Sequence, residues 1–176
     1  MARRYSPGMV RLAVAVRPPV DVIARLLAWA RPPLPGVVYA EPERWIVKVR
    51  PLGHVDPALV ARLLDALDAE LDGAPSARCL LGPRTVRLGG QWLGAPVAGL
   101  DDLGAAVFDA TRELVPVTHP QPFRADVVLA RGKVPRELAG LPVDAAWTAT
   151  ELLLIADRSA PGRPRFEDLG GVELAT

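Results

Sequence analysis

The sequence predicts an α+β fold with internal duplication, and three observations carry that expectation. Strand-like and helix-like segments alternate in both halves of the chain, so the repeat lies in element order rather than in residue identity. Two β-branched segments 80 positions apart, residues 44–53 and 123–133, share one design: a short run closed by a basic residue and a glycine. The 176 residues, 50% hydrophobic and 23% charged, suit a single soluble domain over 1–176. A chain of this length buries roughly 70% of its unfolded surface and needs neither disulfide nor metal to hold it.

The elements follow in order. Residues 10–16 alternate, with Leu12, Val14 and Val16 on one face of a strand that Pro18-Pro19 stops. Asp21 stands near the start of a helix whose apolar stripe is Val22, Ile23, Leu26, Leu27 and Trp29. A proline-rich connector over 31–35 leads to short strands at 37–39 and 45–49. Asp56-Pro57 then supplies an N-cap and a first-turn proline for a helix with Leu59, Val60, Leu63, Leu64, Leu67 and Leu71 on its buried side. In the second half, 77–81, 84–88 and 91–97 read as strands, with Gly89-Gly90 as a two-residue turn. Asp101-Asp102 opens another helix. The second signature strand, a helical turn within 134–140, one long strand over 145–156 and a last strand over 166–174 complete the chain.

Composition limits the function classes. A formal net charge of +1 gives no whole-molecule pull on nucleic acid, so an anion site needs local clustering. Lys48 and Lys133 are the only lysines, so 19 of the 21 basic residues are arginine and no single arginine is informative by its type. One cysteine excludes an intrachain disulfide, and Cys79 in Cys79-Leu80-Leu81 reads as a buried strand thiol. Arg3-Arg4 precede an apolar stretch broken by Arg11 and Arg17, too short and too charged for a signal peptide or a membrane span. The expected location is the cytoplasm. There is no GxxxxGK[ST] loop, no GxGxxG after a strand, no GxSxG elbow, no CxxC and no HExxH. The two histidines, without clustered partners, do not make a metal site, and no cofactor is expected. The four tryptophans are expected in the core; for Trp92, beside the hairpin, a base-stacking role is the alternative.

The pair Arg44-Trp45-Ile46-Val47-Lys48-Val49-Arg50-Pro51-Leu52-Gly53 and Phe123-Arg124-Ala125-Asp126-Val127-Val128-Leu129-Ala130-Arg131 resembles the two signature strands of the two-histidine phosphoesterases. That family includes bacterial 2'-5' RNA ligase and RNA 2',3'-cyclic phosphodiesterase. The likeness extends over most of the chain: the first strand and helix, the helix after Gly53, the hairpin around Gly89-Gly90, the helix from Asp101 and the closing 165–174 all fall in family order. It implies a two-lobed fold, with antiparallel sheets lining a central cleft and helices packed outside. The two lobe-exchanging halves would divide near 1–75 and 76–176. In the family each strand carries His-x-Thr or His-x-Ser. Here Ile46 and Asp126 replace the histidines, and Lys48 and Val128 replace the hydroxyls.

The resemblance implies that the two motif faces meet across the cleft, where the family's histidines act as general acid and base on a phosphodiester. Ile46 cannot transfer a proton, and a carboxylate at 126 repels a phosphate. Strand parity groups Ile46, Lys48 and Arg50 on one face, and Arg124, Asp126 and Val128 on another; it places Arg131 opposite Asp126. The expected site therefore holds an anion with Lys48, Arg50, Arg131 and Lys133, near Asp126. The ligand would be a nucleotide, an RNA end or another phosphorylated small molecule, bound without rapid turnover. A Lys48–Asp126 salt bridge closing a retired site is the structural alternative. His54, after the first strand, and His119, before the second, are the alternative acid and base of an active cyclic phosphodiesterase. A protein-interaction module on the same scaffold is the third reading.

Overall fold

The computed structural model describes residues 8–176; the Arg3-Arg4 pair lies outside them. The alternating residues of β1 (Val10–Val16) place that strand inside a four-stranded antiparallel sheet. Its neighbours are β3 (Val47–Val55) and β9 (Glu151–Asp157), and β10 (Phe166–Glu173) closes the far edge, giving the order β10-β9-β1-β3. The second sheet runs β2-β7-β6-β4-β8, formed by β2 (Val37–Tyr39), β4 (Ala77–Leu81), β6 (Trp92–Ala98), β7 (Asp126–Gly132) and β8 (Ala145–Ala149). The short β5 (Val86–Leu88) pairs with β6 through the Gly89-Gly90 turn, where both glycines take positive φ. Both sheets draw strands from both ends of the chain.

Among the described residues three α-helices cover the sheets: α1 (Val20–Ala28), α2 (Val60–Leu71) and α3 (Asp101–Thr111). Asp56 accepts a hydrogen bond from the Ala58 amide at 2.9 Å, starting a 3-10 turn over Pro57–Leu59 that runs into α2. The leucine stripe then buries Leu63, Leu67 and Leu71, each contributing roughly 2 kcal/mol by leaving water. α2 packs on α3 and β10, and α3 packs on β3. One continuous apolar cluster joins the helices to one face of each sheet. A second, small cluster of Ala15, Ile46, Leu153 and Ile155, with Phe166 against it, lies apart from the first.

The predicted strand over 145–156 is two strands. β8 belongs to the second sheet and β9 to the first, and the chain changes sheet at Thr150, whose carbonyl accepts the Leu174 amide at 2.8 Å. The burial pattern explains the break. Residues 145–149 alternate buried and exposed, as in a sheet with one open face, whereas 152–156 are buried without interruption. β3 is also longer than expected and starts at Val47, after a 3-10 turn over Pro42–Arg44. The turn within 134–140 is a 3-10 turn over Arg136–Leu138.

Candidate functional site

β3 is an edge strand of its sheet, and Pro51 within it has no N–H to give to a ladder. Its pairing with β1 carries two irregularities. Ala15 faces Lys48 and Val14 faces Arg50, leaving Val49 as the extra residue; Ala13 faces Pro51 and Leu12 faces Gly53, leaving Leu52 as another. The first bulge separates two residues that strand parity puts together. Lys48 shares the face of Ala15 and Ile46, whereas Arg50 turns with Val14 to the helix side.

Arg50 is consequently a structural residue. It is 8% exposed, and it donates to the Thr111 hydroxyl and, at 2.6 Å, to the Val115 carbonyl. Its guanidinium lies 5.2 Å from the centre of the Phe108 ring. A cation beside Thr111, the last residue of α3, also complements the helix dipole. Burial holds its pKa below the usual arginine value. The expectation that Arg50 lines the anion site is corrected on this geometry, because every partner it has is on the α3 side.

The opposite correction applies on β7. Its pairing with β6 slips between Leu93 and Gly94: Gly94 faces Val128 and Leu93 faces Ala130, so Leu129 is the extra residue. The Leu129 carbonyl instead accepts the Ala40 amide at 2.9 Å. Beyond the bulge Arg131 faces Trp92, and Trp92 and Gly94 lie two apart on one face of β6. Arg131 therefore joins Asp126 and Val128 on one face, where simple alternation had put it on the other. Lys133 lies past the end of β7, exposed, with its amide on the Gly36 carbonyl at 2.8 Å.

β3 and β7 approach one another, and Asp126 is near enough to Lys48 to act on it electrostatically. Lys48 is half-buried, and its pKa is lowered, first by burial and then by Arg11; Asp157 and Asp126 act in the opposite direction. No described residue lies in hydrogen-bond or ion-pair contact with the Lys48 ammonium. Asp126 is engaged by Arg124 on its own segment, with Nε 3.2 Å from Oδ2, so the expected Lys48–Asp126 salt bridge is not formed. Arg131 also has no side-chain hydrogen bond or ion pair among the described residues. Arg11 and Asp157, opposite each other on β1 and β9, extend the charged surface beside Lys48. Burial acts to raise the Asp157 carboxyl, but the Ser159 hydroxyl and amide, Arg11 and Lys48 outweigh it and hold the pKa low.

Ile46 is the residue that the resemblance sets at the first motif position. It is 4% exposed in the small apolar cluster, and an open pocket of about 550 Å³ reaches it, lined also by Arg17, Trp45, Arg165 and Phe166. Arg17 is tied to Asp168 by two hydrogen bonds of 2.7 and 2.8 Å, which raise its pKa. His54 is not in a loop: it lies within β3, opposite Arg11. Six residues of strand, up to about 20 Å, separate it from Lys48. His119 is exposed in the segment between α3 and β7. Cys79 is buried in β4, and burial pushes its thiol up to about 11, which removes it as a nucleophile. Among the described residues no three His, Cys, Asp or Glu side chains are placed to hold a metal ion, and no helix is long and apolar enough to cross a membrane.

No protein-family model matches this sequence, and no curated protein matches it. Solved structures do. E. coli LigT in complex with 3'-AMP superposes with a TM-score of 0.82 at 19% identity, covering 96% of this chain and 99% of that one. The chain has the LigT fold. The Thermus thermophilus protein TT0787 gives a TM-score of 0.80 at 20% identity over 93% of this chain and 97% of its own. LigT complexed with phosphate gives 0.75 at 20% identity, again over 96% and 99%. The α+β architecture expected from the resemblance to two-histidine phosphoesterases is the observed one. Sequence reasoning missed the faces of Arg50 and Arg131, for which Pro51 and Gly94 are the available signals.

Proposed function

We propose that this protein binds a phosphorylated ligand, a nucleotide or an RNA end, in the cleft between its two sheets and does not turn it over rapidly. The observation that carries the reading is a pair of cations, Lys48 on the Ile46 face of β3 and Arg131 on the Asp126 face of β7, neither in ion-pair contact with a described acidic group. A half-buried ammonium whose pKa burial has lowered gains most from an incoming anion, because the anion supplies the charge that water no longer does. The structures that share this fold include LigT with 3'-AMP, with phosphate and with ATP, which supports a phosphate-bearing ligand for the corresponding cleft. Slow turnover follows from Ile46 and Asp126. Each missing proton-transfer group removes about 10²–10⁴ in rate, and His54 lies six residues along β3 from Lys48.

The test is ³¹P NMR of 2',3'-cyclic AMP with the protein. The expected result is a broadened or shifted phosphate resonance with no product after prolonged incubation. An unperturbed resonance at millimolar ligand contradicts binding. A growing monophosphate signal contradicts the degenerate reading and favours an enzyme with relocated groups.

A further inference from the structure

We propose that Trp92 is the stacking surface for a nucleobase, so that the ligand of the cleft is a nucleotide or a nucleotide end rather than a bare phosphorylated metabolite. The inference rests on the phosphate reading above and narrows it.

Three of the four tryptophans pack as a core requires. Trp45 and Trp147 are 2% and 6% exposed, and Trp29 is partly covered, edge-on to Tyr39. Trp92 is 45% exposed. An exposed aromatic alone needs no explanation; its register does. Trp92 stands two residues along β6 from Gly94, and Gly94 faces Val128, the motif position in the cleft. Two strand residues span about 6.6 Å, the order of the step from a phosphate across its ribose to the base. Arg131 is the direct cross-strand neighbour of Trp92, about 5 Å away between Cβ atoms, so a single arginine is within reach of a phosphate at Val128 and of a base on the ring.

The flanks of this pair are apolar. Val38 faces Arg131 on its other side and is 51% exposed, and Leu88 faces Trp92 across the hairpin. Gly94 lets the Leu88 side chain lie close over it, since a Cβ there would meet Leu88 Cδ1 at 3.0 Å and the Asp126 Cβ at 3.6 Å. The open face thus presents, in a row, valine, arginine, tryptophan and leucine. A planar base laid on Trp92 covers an apolar strip and keeps its charged end at Arg131. Stacking of this kind is tolerant of base identity, because every base has a π-face.

The experiment is calorimetric titration of the full chain and of Trp92→Ala and Trp92→Phe with 3'-AMP and with inorganic phosphate. The native protein is expected to bind 3'-AMP at least about tenfold tighter than phosphate. Trp92→Ala should bring 3'-AMP down to the affinity of phosphate, and Trp92→Phe should restore most of the difference. Equal 3'-AMP affinity in the native protein and Trp92→Ala overturns the proposal, as does a native protein that binds phosphate as well as 3'-AMP. In that second case the phosphate site itself survives. If neither ligand binds, the phosphate reading fails and the base site fails with it.

Discussion

Arg50→Ala is expected to lower the unfolding free energy by about 3 kcal/mol, the loss of two charge-assisted hydrogen bonds and the packing of a buried guanidinium on Phe108. For a domain of this size that corresponds to a Tm lower by roughly 10 °C, read by thermal denaturation followed by circular dichroism. The loss is large because the arginine joins β3 to the end of α3, and truncating it leaves the Val115 carbonyl without its partner. Arg50→Lys should fall between, since an ammonium reaches one of the two acceptors but cannot fork to both. Were Arg50 a ligand residue instead, alanine would weaken anion binding and leave Tm nearly unchanged.

Lys48→Met is expected to do the reverse. Methionine keeps the length of the side chain and removes a half-buried cation that has no described partner, so Tm should rise by about 2–4 °C, or about 1 kcal/mol. The same change should weaken 3'-AMP binding roughly tenfold to a hundredfold, the range of a charge-assisted contact. The pH dependence has a definite sign. Burial lowers the Lys48 pKa, so folding is opposed wherever the unfolded chain carries that proton. The penalty is full below the folded-state pKa and fades as the pH rises to the ordinary lysine value. The stability advantage of Lys48→Met should therefore shrink in alkaline solution. A variant less stable than the native protein at neutral pH would mean that Lys48 has a stabilising partner.

These two side chains show how far the sequence could be read. Local patterns carried the elements. Alternation marked β1, the leucine stripe marked α2, and Gly89-Gly90 marked the β5–β6 turn, because each signal is contained within about ten neighbouring residues. Motif position singles out Lys48, Asp126 and Val128 in the sequence, and in the fold they lie on β3 and β7, two strands that approach one another. The faces of Arg50 and Arg131 were not legible by counting. A bulge is a property of a strand pair, and the partner strands, β1 and β6, lie about 30–40 residues away in sequence. Pro51 and Gly94 hint at irregular pairing, yet neither states which residue is the extra one. The strand over 145–156 failed for a related reason: its hydrophobicity runs on, while the chain changes sheet at Thr150. Sequence leaves Trp92 between the core and a base-stacking role, because it does not tell an open sheet face from a covered one.

A consistent picture joins these points. The LigT fold is shared, Ile46 belongs to a small apolar cluster, and Asp126 is held by Arg124. Lys48 on β3 and Arg131 on β7 have no ion-pair contact among the described residues. The most direct test is a crystal structure of the protein soaked with 3'-AMP. The account predicts a phosphate bound between the Lys48 ammonium and the Arg131 guanidinium. A cleft empty at high ligand concentration, or a phosphate held elsewhere on the surface, would contradict it.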